Sequence, residues 1–164
     1  MKRLILLSTL FCLAILTALP VYAGDNDGAP PKSFGPRLGY SVNPDQFVIG
    51  FQAELGPVVE SARMAPSFDL GFGDDITTFT LNGDIRLTIL KPPKSNTAFY
   101  VALGPTLLFW DYKGGDSDLE IGLTATAGIK FPMGQSAFYN LEGRFGIGDV
   151  PDFRIMAGIL FGGR

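Results

Sequence analysis

The sequence has no histidine, and its only cysteine, Cys12, lies in the first apolar segment. Without imidazole there is no ordinary Ser-His-Asp arrangement and no general base of the usual kind near neutral pH. The usual zinc ligands are missing for the same reason. The composition therefore argues against an enzyme, predicts no cofactor and no metal site, and requires a fold that is stable without disulfides.

Long apolar runs are also scarce. One predominantly apolar run, Leu4 to Leu16, follows Lys2 and Arg3 and precedes the small-residue site Val21-Tyr22-Ala23. This order is typical of a secretory signal peptide. No later stretch approaches the roughly 20 apolar residues that a spanning helix needs. We therefore predict a signal peptide over residues 1–23, cleaved after Ala23, and an exported chain without a helical anchor.

Charge is sparse and slightly negative, with 16 acidic and 13 basic residues. The acidic residues are scattered, and cleavage of the signal peptide removes Lys2 and Arg3, so nucleic acid is not expected as a partner. The remaining length fits one domain. Residues 24–33, which include Pro30 and Pro31, are predicted to be a flexible leader, and residues 34–164 are predicted to form the folded domain.

What the sequence does contain is alternation. From Thr78 to Ile89 nearly every second residue is apolar and the others are polar, which predicts a β-strand. The same unit, followed by a turn rich in Gly, Pro, Asn or Asp, recurs about eight times. The predicted strands are 35–42, 46–56, 62–72, 77–90, 98–110, 118–131, 136–147 and 152–161. Short links and the absence of helical periodicity predict an all-β fold, an eight-stranded antiparallel up-and-down β-barrel.

Alternation alone fits both a soluble barrel with an apolar interior and a membrane barrel with an apolar exterior. The polar side of these strands consists mainly of Gly, Ala, Ser and Thr with one or two charges per strand, as in Leu119 to Phe131. A surface that faces water carries more Lys and Glu, whereas a narrow eight-stranded barrel has room for small residues inside. The pattern favours a transmembrane β-barrel with the polar side in the lumen.

Two groups of residues follow from this orientation. Ionised side chains in a narrow lumen are costly unless they are paired, so the inward charges are predicted to form a network of ion pairs. Its members are Arg37, Glu54, Asp69, Asp84, Arg86, Glu120, Lys130, Glu142, Arg144 and Arg154, with Arg63 nearby.

Outward aromatic residues at strand ends are predicted to form two membrane-interface girdles. One contains Phe47, Phe72, Phe79, Phe109 and Phe153, and the other contains Phe99, Phe131, Tyr139 and Phe161.

The chain from Phe34 to Phe161 resembles the small outer-membrane β-barrel proteins of Gram-negative bacteria, the porin-family or outer-membrane-protein β-barrel group. The resembling stretches are Gly35 to Tyr40, Pro66 to Asp75 and Ala157 to Phe161. The resemblance implies residence in the bacterial outer membrane, contact with outer-membrane lipid, and termini on the periplasmic side. It also implies recognition by the barrel-insertion machinery through a terminal aromatic residue, here Phe161. A monomer is expected.

Two weaker motifs remain. The segment from Asp111 to Glu120 is acidic but lacks the ligand spacing of an EF-hand, so it is either a solvated loop or a weak site for divalent cations shared with lipopolysaccharide phosphates. The segment from Gly143 to Gly148 has the wrong order for a dinucleotide site. The leading hypothesis is an outer-membrane barrel with a structural or interaction role, and the alternative is a secreted lipocalin-like barrel that binds a small apolar ligand.

Overall fold

The structure is a computed structural model that describes residues 33–59, 62–92, 95–112, 115 and 117–162. The predicted signal peptide and most of the predicted leader lie outside the described residues. No helix within these ranges is long and apolar enough to cross a membrane. The described residues form nine strands: β1 (Ser33–Val42), β2 (Gln46–Glu54), β3 (Pro57–Val59), β4 (Ala62–Phe72), β5 (Ile76–Leu90), β6 (Ala98–Tyr112), β7 (Ser117–Met133), β8 (Ala137–Gly148) and β9 (Phe153–Gly162).

The eight long strands form one closed antiparallel sheet. Each pairs with the next along the chain, and β9 returns to pair with β1, where Leu38 lies opposite Ala157. Strand β2 pairs with both β1 and β4, so the described sheet is a continuous ring. Closure leaves few strand edges with unpaired backbone groups. The prediction of an eight-stranded up-and-down barrel is confirmed.

The structure adds detail at two links. The predicted turn after β2 contains the short strand β3, which pairs with the end of β4 and so extends the wall beyond Glu54. The predicted loop from Asp111 to Ser117 is shorter than expected, because β6 and β7 continue to pair as far as Asp111 opposite Ser117. Strand β7 meets β8 only from Gly122 onward, so the β6–β7 hairpin projects beyond its neighbour.

The barrel has two rims. The terminal rim is the end at which β1 begins and β9 finishes. The distal rim is the opposite end, which carries the links 43–45, 73–75 and 149–152 and the link between β6 and β7. The exposed carboxylates of Asp74, Asp75, Asp149 and Asp152 all lie in links of the distal rim.

Exposure alternates along the strands as the sequence pattern predicts, and it fixes the direction of each face. Large apolar side chains point outward and are exposed; Ile121 reaches 67% exposure. Polar side chains point into the lumen and are buried, with Asp69 and Thr80 at 0%. The eight glycines on the polar side of the predicted strands are buried or half-buried, and an added Cβ would meet lumen side chains or the backbone of a neighbouring segment. They are Gly39, Gly50, Gly71, Gly104, Gly122, Gly128, Gly146 and Gly158.

Candidate functional site

The centre of the lumen is organised around the carboxylate of Glu142 on β8. Its Oε1 lies 2.9 Å from Arg86 Nη2, and its Oε2 lies 3.1 Å from Arg144 Nη1 and 3.4 Å from Arg37 Nη1. The Asn140 amide donates to Oε1 at 2.6 Å, and the Tyr100 hydroxyl lies 3.1 Å from the same oxygen. One carboxylate thereby joins β1, β5, β6 and β8.

Two aspartates extend this cluster toward the distal rim. Arg37 binds Asp69 through two parallel hydrogen bonds, Nε to Oδ1 and Nη2 to Oδ2, each 2.7 Å long. Arg144 Nη2 lies 2.8 Å from Asp84 Oδ2, and Arg154 Nη1 lies 3.6 Å from Asp69 Oδ2. The bidentate geometry of the first pair is the strongest form of this interaction.

Glu54 anchors the end of the cluster nearer the terminal rim. Lys130 Nζ donates to Glu54 Oε2 at 2.6 Å, Ser33 Oγ donates to the same oxygen at 3.1 Å, and Arg86 Nη1 approaches Oε1 at 3.4 Å. The Arg86 guanidinium also lies over the Tyr100 ring, 4.1 Å from its centroid. Arg63 on β4 is directly opposite Arg86 in the sheet register.

These contacts connect nine of the ten charged residues assigned to the lumen from the sequence. Glu120 lies apart from them: it is only half-buried, and its carboxylate accepts a hydrogen bond from the indole N–H of Trp110 near the distal rim. Its separation follows from the projecting hairpin, since residues of β7 before Gly122 have no partner on β8. Glu120 therefore has no role in the described ion pairs.

Sequence reasoning missed several inward residues that are not charged. Tyr100 is buried and donates to Asn140 Oδ1 at 2.6 Å. Val48 and Leu108 are also buried in the lumen. Met156 and Leu160, whose positions in the sequence already fall on the polar side of β9, are buried there too. The sequence signal for Tyr100 is its position two residues from Ala98 and Ala102, which share its inward side. Among the described residues, no group of three potential Asp, Glu, His or Cys ligands could hold a metal ion.

The aromatic residues assigned to two girdles all lie on the outer face. At the distal rim Phe79 packs against Phe109 with ring centroids 5.9 Å apart, and Phe47 lies opposite Phe72 in the register. At the terminal rim Phe131 packs against Tyr139 at 5.3 Å. The remaining assigned residues, Phe99, Phe153 and Phe161, are exposed or half-buried on the same outer face.

Further outward aromatics were not assigned from the sequence. Phe145 packs against Phe153 with ring centroids 4.9 Å apart at the distal rim. Phe34, Phe51 and Phe68 form a row of stacked rings across β1, β2 and β4, with centroid separations of 6.1 and 6.0 Å. This row depends on the register between strands, which the sequence alone does not reveal.

No protein-family model matches the chain, and no curated protein matches it in sequence. Solved structures are nevertheless similar. Neisserial surface protein A is similar with a TM-score of 0.60 at 13% identity, over 82% of this chain and 99% of that chain. The N-terminal β-barrel domain of Pseudomonas aeruginosa OprF gives 0.59 at 14%, over 82% and 96%. The Yersinia pestis outer membrane protein Ail in a phospholipid bilayer nanodisc gives 0.53 at 12%, over 83% and 99%. The resemblance to small eight-stranded outer-membrane barrels is confirmed at the level of the fold.

Proposed function

We propose that this protein is a bacterial outer-membrane barrel that crosses the bilayer with its strands and has a structural or interaction role without catalysis. The observation that carries the proposal is the inverted distribution of polarity. Apolar side chains such as Leu123, Ile147 and Ile155 are exposed, while ionised side chains such as Glu142 and Arg144 are buried. Such a distribution is unfavourable in water and favourable in lipid.

The outer face has the dimensions and composition of a lipid-facing surface. The long strands β5, β6 and β7 contain 15, 15 and 17 residues, more than the 9–11 that a tilted transmembrane strand needs. Aromatic rings lie on the outer face near both rims, where half-wet headgroup regions favour them. The similarity to barrels of the outer membrane supports the same location.

The alternative of a soluble barrel with an apolar ligand finds no support in the lumen. Such a barrel needs an apolar cavity, whereas the lumen here contains buried ion pairs around Glu142, Asp69 and Glu54. Side chains that fill a narrow eight-stranded barrel leave no open channel, so we do not expect free conduction. The absence of histidine from the sequence supports a role that requires no general base.

The test compares two adjacent substitutions on opposite faces of β7. Leu123 is 44% exposed on the outer face, and Thr124 is 6% exposed in the lumen. An arginine on a lipid-facing surface costs about 2–4 kcal/mol at the bilayer midplane. We expect Leu123→Arg to prevent recovery of a heat-modifiable band in the detergent-extracted outer membrane, and Thr124→Ser to leave it unchanged.

Each result bears on the proposal. Recovery of both variants in equal amounts would contradict the assigned orientation of the faces. Recovery of the unaltered protein as a soluble periplasmic species, without detergent, would contradict the membrane location itself.

A further inference from the structure

The link between β8 and β9 folds into the mouth of the lumen at the distal rim. Gly148 has a φ of +93°, a conformation that glycine adopts readily. The chain then returns so that the Gly146 N–H donates to the Asp152 carbonyl oxygen at 3.1 Å. Val150 and Pro151 are buried as a result. They form a cap, defined here as residues Val150 and Pro151, over the charged interior.

The cap requires glycine at two positions of the adjoining strands, Gly122 on β7 and Gly146 on β8. A Cβ added to Gly122 would lie 2.8 Å from Val150 Cγ1, and one added to Gly146 would lie 2.9 Å from Val150 Cγ2. These distances are too short for a real side chain. The two glycines therefore provide the space that Val150 occupies.

Beneath the cap is a cavity of about 10 Å³. It is lined by Val150 and Pro151 on the side of the cap and by Thr106, Thr124, Arg144 and Arg154 on the side of the lumen. This volume is enough for one water molecule or, after a small displacement of the flexible arginine side chains, for one monoatomic anion. It is too small for sulfate, phosphate or any organic anion.

One of the two arginines that line the cavity, Arg154, is incompletely neutralised. Arg154 is 5% exposed, and its Nε has no hydrogen-bond acceptor among the described residues. Its ion pair with Asp69, from Nη1 to Oδ2, is 3.6 Å long, because Arg37 already binds both oxygens of Asp69. The Nη2 of Arg154 donates instead to the neutral hydroxyl of Thr80 at 3.1 Å.

Arg144, which is paired with Asp84 and Glu142, brings a second guanidinium group to the lining. It lies directly opposite Arg154 in the register of β8 and β9, an arrangement in which like charges repel. Its Nη2 lies 2.8 Å from Asp84 Oδ2 without satisfying hydrogen-bond geometry. No carboxylate lines the cavity among the described residues.

We propose that the cavity binds one monoatomic anion, chloride in physiological media, between the guanidinium groups of Arg144 and Arg154 and beneath the cap. The anion compensates the charge of Arg154 that Asp69 leaves unneutralised. Its position beneath Val150 and Pro151 lowers the local dielectric constant and so strengthens its attraction to both arginines. The proposal does not depend on the location of the protein in a membrane.

Diffraction from crystals grown in bromide tests the proposal on the unaltered chain. We expect one anomalous peak between Arg144 and Arg154, beneath Val150. Density at that position without an anomalous signal would identify a water molecule and overturn the proposal. A bromide signal confined to the outer surface or the rims would also overturn it.

Urea denaturation in solution compares the unaltered protein with two matched variants. The urea midpoint of the detergent-solubilised protein is measured in sodium chloride and in sodium gluconate at equal ionic strength, because gluconate is too large for the cavity. We expect chloride to raise the midpoint of the unaltered protein and of Lys130→Gln, which removes a lumen cation bound to Glu54, far from the cap. Arg154→Gln should lose the difference between the two salts. Equal differences in all three proteins would contradict the site.

Discussion

Glu142 shows how single residues hold the interior together. Its carboxylate lies within 3.4 Å of three arginines that belong to three different strands. Buried ion pairs of this kind add little stability compared with apolar packing, but removal of one partner leaves the others uncompensated. Loss of the Glu142 charge should therefore cost more free energy of unfolding than its ion pairs contribute to stability.

Glu142→Gln tests this role with almost no change in shape. The substitution removes the negative charge that Arg37, Arg86 and Arg144 share, so we expect a loss of about 3–5 kcal/mol in the free energy of unfolding. Urea titration in detergent, followed by the fluorescence of Trp110, the only tryptophan, measures the change. Asp75→Asn, in an exposed link of the distal rim, should alter the value by no more than about 0.5 kcal/mol. Indistinguishable midpoints for the two variants would contradict the role assigned to Glu142.

For single residues, the sequence predicts whether a side chain faces the lumen or the outside, but it does not predict which ion-pair partner it meets. Alternation is sufficient to assign Arg37, Asp69 and Arg144 to the polar side of their strands. Which charges meet depends on the register between strands far apart in sequence, such as β1 and β8. The position of Glu120 illustrates the limit, because its strand projects beyond β8 at that point.

Between the paired strands β5 and β6, Gly104 lies against the backbone of Gly83 and Asp84. A Cβ on Gly104 would meet the backbone of β5, with Asp84 Cα only 2.6 Å away. A Cβ on Gly83 would lie at an ordinary distance, 3.5 Å from Pro105 Cγ. The two glycines lie on the same pair of strands, but Gly104 has no room for a side chain whereas Gly83 has room for a methyl group.

The substitutions Gly104→Ala and Gly83→Ala make a matched pair. Because backbone atoms cannot move aside as a flexible side chain can, we expect Gly104→Ala to lower the free energy of unfolding by about 1–3 kcal/mol. Gly83→Ala should be neutral or slightly stabilising, since glycine is unfavourable within a strand. The same urea titration compares them. A larger loss for Gly83→Ala would show that the close approach of β6 to β5 is wrongly placed.

Most of the long strands are predictable because their alternation persists along most of their length. The predicted strand 98–110 corresponds to β6 at Ala98–Tyr112, and the predicted strand 62–72 matches β4. Strand β3 is too short to have a detectable period. The cap at Val150 and Pro151 is likewise invisible in the sequence, because Gly-Asp-Val-Pro reads as an ordinary turn.

For the whole molecule, closure of the sheet and the inversion of polarity have one physical basis. In a bilayer, backbone groups must be paired within the protein, and a closed barrel pairs them without an edge. The small polar residues that fit inside such a narrow barrel leave the larger apolar ones for the outside. The sequence predicts this architecture because the alternation of the strands indicates a barrel, and the small size of the polar residues indicates that they face its lumen.

The central claim is that the apolar outer face contacts lipid, and spin labels test it most directly. The only cysteine, Cys12, lies in the predicted signal peptide, so single cysteines introduced at Leu123 and Leu141 on the outer face and at Asp75 in the distal rim can be labelled selectively. In phospholipid vesicles, labels at Leu123 and Leu141 should collide more often with dissolved oxygen than with an aqueous nickel complex, and the label at Asp75 should show the reverse. Preferential collision of the Leu123 and Leu141 labels with the aqueous complex would contradict the account.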